Sequence, residues 1–248
     1  MGGHIKFDTF ENGIFEKYGL LLDRAVALDP SNAKAHILKA EVFERSSNFD
    51  DQFRELEKAR SLQTTDPWLQ IGYGRYYSNV DKLDSSYEAY SNVMRHRPGT
   101  TASERKAYVR ALRELSDFRV GTERRQDSLR KYASMAMAAR HPADAWTPQS
   151  YAESFIDLQL FEDAIVYARE ALKTMNFGAG RLTLAAALYA RAAQLDMAQR
   201  QREDLEPLLL EANGFGFSRA AILEYLIERR GIGDSLRVLE PSLNKLVK

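Results

Sequence analysis

The chain has 248 residues, 44% hydrophobic and 28% charged, with 35 basic and 35 acidic side chains and no cysteine. This balance excludes a disordered chain, a disulfide scaffold, a thiolate nucleophile, cysteine-ligated zinc and iron–sulfur clusters. A net charge of zero gives no long-range pull toward nucleic acid or an anionic membrane, and no apolar run approaches the roughly 18 residues of a membrane span.

Read in chain order, the apolar residues recur at i, i+3, i+4 and i+7, the mark of amphipathic helices, and no β-branched alternation competes with them. An opening helix is expected near 14–28. Hairpins of two helices are then expected near 33–62, 67–96, 101–139, 147–175, 179–212 and 218–247. The first half repeats at 34 residues: Phe15, Phe49 and Leu83 form one row, Leu22, Leu56 and Tyr90 a second, Ala25, Ala59 and Val93 a third. Pro30, Thr64 and Pro98 close the units, while Ala40 with Gly74 and Phe43 with Tyr77 share the same spacing.

The period returns in Ala152, Ala186 and Ala220, in Phe155 with Tyr189, and in Ala164 with Ala198. Between the halves the register slips by ten residues, which places an insertion in the unit between 99 and 142, around Ser116–Gly121. Self-similarity of this kind is the signature of a repeat array, in which each unit buries its apolar face against its neighbours. Small residues (Gly74, Ala152, Ala164, Ala186) are expected where the two helices of a hairpin cross. Aromatics three residues on (Phe43, Tyr77, Phe155, Tyr189) are expected to fill the space beside each crossing. The whole of 1–248 is therefore read as a single all-α solenoid of about six helical hairpins preceded by a lone helix.

The unit also combines Ala-x3-apolar-x2-Ala in its second helix with a closing proline. With the small residue and the aromatic three later, it resembles the tetratricopeptide repeat. Tyr151 to Leu172 carries the likeness most fully, followed by Gly74-x2-Tyr77 with Leu83, Tyr90 and Pro98. The family's leading Trp-x2-Leu-Gly is not intact, since Trp68-Leu-Gln-Ile71-Gly72 stands two residues out of phase. The resemblance implies a right-handed superhelix of antiparallel helix pairs with first helices lining a concave groove. It implies groove positions at Glu41, Arg45, Arg75, Asn79, Glu153, Asp157 and Arg191. The Lys, Arg and Asn clamp by which some members hold acidic chaperone tails is not matched, because Ile37, Glu41 and Gly72 stand on that surface.

No motif for chemistry is found. Gly-x4-Gly-Lys-Ser/Thr, Gly-x-Gly-x2-Gly, His-Glu-x2-His and Gly-x-Ser-x-Gly are all absent from the sequence. His4, His36, His96 and His141 are too scattered to suggest a metal site. Asp50-Asp51 and Glu162-Asp163 open second helices, where acids complement the helix dipole. No cofactor and no catalytic activity are therefore expected. Residues 105–131 hold nine basic against four acidic side chains. Arg110, Arg113, Arg119, Arg124 and Arg125 form a candidate patch for an acidic partner, against the plainer reading of a solvated helix face. Without interleaved aromatics, nucleic acid is disfavoured as that partner. Trp68 and Trp146, 78 residues apart, occupy one repeat position as binding anchors or as plugs between hairpins.

The expected function is a non-catalytic scaffold that holds a peptide or helical segment of a partner protein in the groove. The alternative is a helical module of a bacterial envelope secretion or polysaccharide-export apparatus, where similar arrays occur and with which the lack of cysteine is consistent; the excess of arginine over lysine points to a bacterial origin. The sequence leaves compartment open between cytoplasm and periplasm, and leaves oligomeric state open.

Overall fold

The computed structural model describes residues 5–95, 98–118, 122–197 and 202–232, with side chains described for 17–95, 98–118, 125–195 and 204–232. Twelve α-helices occupy these residues and no strand does. By internal contacts the chain divides into two units, Met1–Phe118 and Arg119–Lys248, so the boundary falls within the span expected for the third hairpin.

The first unit holds α1 (Ile5–Leu28), α2 (Ala33–Arg45), α3 (Phe49–Ser61), α4 (Pro67–Asn79), α5 (Leu83–Arg95) and α6 (Ala102–Asp117). The opening helix is nine residues longer at its start than the periodicity indicated. Helices α2 and α3 pair, as do α4 and α5, while α4 also lies against α2 and α6. The second unit holds α7 (Thr122–Ala139), α8 (Trp146–Asp157), α9 (Phe161–Thr174), α10 (Gly178–Met197), α11 (Arg202–Gly214) and α12 (Arg219–Glu224), followed by a π-helical turn, Tyr225–Arg229. Here α8 pairs with α9 and α10 with α11, and α10 also contacts α8 and α12. Within each unit the first helices of successive hairpins touch and form a layer of that unit.

Helix lengths locate the break in period. Helices α4 and α5 have 13 residues each, α6 has 16 and α7 has 18. The extra residues thus lengthen both helices rather than only the connection between them. Residues 119–121 and the end of the last expected hairpin, 233–247, lie outside the described residues.

The crossings follow from side-chain size. A Cβ at Gly74 would lie 2.4 Å from Cε1 of Tyr90, a ring only 2% exposed, so glycine is required there. Ala152, Ala164 and Ala186 are fully buried, as is Phe155. Ser86 Oγ donates to the Gly74 carbonyl at 2.7 Å and pins α5 to α4 at the crossing.

The turn inside three of the hairpins repeats as well. Ser47, Asp81 and Gln159 have φ of 55°, 60° and 57°, and each is followed by a residue whose N–H reaches back to the aromatic of the preceding helix. Those bonds run from Asn48 to the Phe43 carbonyl (2.9 Å), from Lys82 to Tyr77 (2.8 Å) and from Leu160 to Phe155 (2.9 Å). This is the Schellman closure, which satisfies carbonyls that a helix end leaves unpaired.

Candidate binding surface

The layer of first helices carries charge in both units. In the first unit, Arg75 follows the Gly74 crossing on α4 and reaches acids on α2. Its Nη1 lies 3.4 Å from Glu44 Oε2 and 3.9 Å from Glu41 Oε1. On α6, Arg110 Nη2 lies 2.5 Å from Glu114 Oε1. The buried Nε–H groups of Arg75 and Arg110 find no acceptor among the described residues.

The electrostatics reflect partial drying. Burial pushes the Glu44 carboxyl above its ordinary value, and the Arg75 charge only partly offsets this. Burial, followed by repulsion from Arg75, holds Arg110 below the ordinary arginine value even though Glu114 acts against the shift. Burial also raises the phenol of Tyr90, with Glu114 adding to the effect. Three acids and two arginines thus run across α2, α4 and α6 with hydrogen-bonding capacity left over. Water competes weakly for such groups, so a ligand's polar atoms gain more there than on an open surface.

Of the other expected groove positions in this unit, Arg45 lies 3.5 Å from Glu41 on its own helix, and Asn79 is exposed at the last residue of α4. Burial explains the difference: Arg75 sits one residue from the crossing, whereas Arg45 and Asn79 stand at helix ends.

In the second unit, Gln149, Glu153 and Asp157 line α8. The Gln149 side-chain N–H donates to Glu153 Oε1 (2.8 Å) and to Thr183 Oγ1 of α10 (2.7 Å), and Thr183 in turn bonds the Tyr225 hydroxyl (3.0 Å). Arg230, placed by the π-helical turn, reaches Asp157 Oδ2 at 2.7 Å and Glu153 Oε2 at 3.5 Å. Burial raises the Asp157 carboxyl despite that guanidinium. Glu153 and Asp157 are therefore brought together with Arg230, a residue the repeat period did not single out. Arg191 turns elsewhere: its Nε donates to Glu162 of α9 (2.6 Å) and its Nη1 to Gln194 (2.6 Å).

The two tryptophans differ although their repeat position is the same. Trp68 is half-buried against the core cluster that runs from Ile37 to Ala89, and its indole N–H donates to Ser103 Oγ of α6 at 3.1 Å. It joins adjacent hairpins. Trp146 is 60% exposed and rests on Phe177, with ring centroids 5.0 Å apart. In the basic segment, Arg110 and Arg113 belong to α6 in one unit and Arg125 to α7 in the other. Arg119 lies outside the described residues, as does the side chain of Arg124.

A cleft of 630 Å³ in the first unit lies between the 64–66 turn, the start of α4, the end of α5 and the start of α6. Its carboxylate Glu104 is occupied by the capping box with Thr101. Among the described residues no group of three His, Asp or Glu side chains could hold a metal ion, and no helix is long and apolar enough to cross a membrane.

No family model and no curated protein matches the chain. Thirteen solved chains are similar to it, two of them as follows. One is the C-terminal part of a TPR repeat-containing protein from Cytophaga hutchinsonii, at 12% identity and a TM-score of 0.52 over 96% of this chain and 95% of that one. The other is YrrB, described as a TPR protein with an unusual peptide-binding site, at 12% identity and a TM-score of 0.47 over 82% of this chain and 95% of that one. The fold is an all-α helical repeat of the tetratricopeptide type.

Proposed function

We propose that the chain is a non-catalytic protein-interaction scaffold that holds an extended or helical segment of a partner along its first helices, with residues 1–248 serving as one array. The observation that carries this reading is the half-dry line of Glu41, Glu44, Arg75, Arg110 and Glu114 across three successive helices, with the Nε–H groups of both arginines unused. A repeat array offers an extended surface built from equivalent positions, which suits a long polar ligand better than a compact one. The mixed charge along that line favours a ligand with both donors and acceptors, and within the second unit the acid pair Glu153 and Asp157 offers similar chemistry.

The test is affinity capture from a lysate, comparing the unaltered chain with Arg75→Gln and Glu153→Gln. Both remove charge: Glu153→Gln is isosteric, whereas Arg75→Gln shortens the side chain but keeps an N–H donor. The expected result is a reproducible partner whose recovery falls at least tenfold with Arg75→Gln, while far-UV circular dichroism is unchanged. Recovery that ignores both substitutions would remove the first-helix surface from the account.

A further inference from the structure

The cleft beside the 64–66 turn shares no residue with the charged first-helix line. Its floor is apolar: Leu69 of α4, Val93 of α5 and Tyr108 of α6 are 4%, 3% and 7% exposed. The Tyr108 hydroxyl has no hydrogen-bond partner among the described residues. It is nevertheless open to solvent although the residue is buried, so it faces the cleft that the residue lines. Gln70 and Asn92 stand half-buried beside it, and neither side-chain amide is engaged among the described residues.

The charged groups of the cleft are differently placed. Asp66 Oδ1 accepts the Trp68 N–H at 3.0 Å and caps α4, and Glu104 Oε2 accepts the Thr101 N–H at 3.0 Å at the start of α6. Both carboxylates therefore lie at helix N-termini, whose partial positive charge offsets them. Arg95 ends α5, where the partial negative charge does the same. A carboxylate entering the cleft would meet two acids, and an ammonium group would meet Arg95. What the cleft offers is neutral: two primary amides and a phenol, each able to donate and to accept, over an aliphatic floor. Its 630 Å³ falls within the roughly 300–1,000 Å³ of small-ligand sites, which join an apolar lining to a few converging polar groups.

We propose that this cleft binds an uncharged amide that carries an aliphatic group, the chemistry of a peptide unit with a leucine-like side chain. The aliphatic group seats on Leu69 and Val93, while the amide exchanges N–H and C=O bonds with Gln70, Asn92 and Tyr108. A sugar ring is disfavoured, because the aromatic ring of the cleft belongs to a buried residue and offers no open face for stacking. The site stands or falls independently of the first-helix surface.

The experiment titrates N-acetyl-leucine N-methylamide into the full isotope-labelled chain and follows the side-chain N–H signals of Gln70 and Asn92 by NMR. Saturable shifts are expected, with affinity at least fivefold weaker in Tyr108→Phe and in Asn92→Leu. Leu210→Asp, a substitution at a residue 65% exposed on α11 of the other unit, is expected to leave binding unchanged. Tyr108→Phe removes only a hydroxyl that bonds nothing in the chain, so the fold is retained, which circular dichroism verifies. A capped Ala-Ala-Leu-Ala-Ala peptide that binds at least tenfold tighter than the small amide assigns the site to a peptide segment, and equal affinity assigns it to a free amide. Absent shifts at the solubility limit of the probe, or affinity indifferent to both cleft substitutions, would overturn the proposal. So would tighter binding of N-acetyl-leucine, of leucine N-methylamide or of methyl glucoside, which carry a carboxylate, an ammonium group and a sugar ring.

Discussion

Gly74→Ala isolates the rule that sets the helix crossings. The added methyl would lie 2.4, 2.6 and 2.7 Å from Cε1, Cζ and Cδ1 of Tyr90, well inside the ~3.5–4.0 Å of an ordinary carbon contact. The ring cannot step aside, because it is 2% exposed and the Ser86-to-Gly74 hydrogen bond holds the two helices at that point. Overpacking of this kind costs about 1–3 kcal/mol, and three ring carbons in conflict place the cost in the upper part of that range. Alanine recovers about 1 kcal/mol of helix propensity at a mid-helix position. The expected net loss is therefore about 1–2 kcal/mol, or a fall in Tm of about 2–8 °C for a chain of this size. Urea and thermal denaturation followed by circular dichroism read it directly.

Gly178→Ala is the matched control, since no heavy atom lies within 4 Å of a Cβ there, and it is expected to cost nothing. Adding Tyr90→Leu to Gly74→Ala is expected to give a combined loss smaller than the sum of the two single losses, because the clash disappears with the ring. A Gly74→Ala protein as stable as the parent would refute the argument, showing that the crossing has room and that the small-residue row reflects something other than close approach.

Two further outcomes follow from buried polar groups. Gln52 is fully buried and neither atom of its amide has a partner among the described residues, so Gln52→Met is expected to raise stability by about 1 kcal/mol. A lower denaturation midpoint would show that the amide is satisfied. Glu55 concerns pH: burial pushes its carboxyl up, but hydrogen bonds from His36 and Lys58 and the charge of Lys39 outweigh burial and hold it below the ordinary value. Because the folded value is depressed, the contribution of Glu55 is complete above the unfolded value of about 4.3 and is lost as pH falls through the folded value. Glu55→Gln should lower stability at neutral pH and flatten the decline on acidification. Parallel declines for parent and variant would refute that assignment.

The amino-acid sequence by itself determined the helical class, the 34-residue unit, the pairing of α2 with α3, α4 with α5, α8 with α9 and α10 with α11, and the residues at the crossings. Those features are local, or recur at a fixed spacing, and close approach leaves only Gly or Ala as solutions at positions such as 74, 152 and 164. Side-chain pairing was decided by the tertiary structure. Arg191 sits one period after Asp157, yet Asp157 is met by Arg230, because ion pairing depends on distance across a packed unit rather than on register. The same holds for Trp68 and Trp146, equivalent in sequence but half-buried in one case and 60% exposed in the other, because different residues surround them. His36, scattered in sequence, acquires a structural role only when α3 brings Glu55 within 2.6 Å.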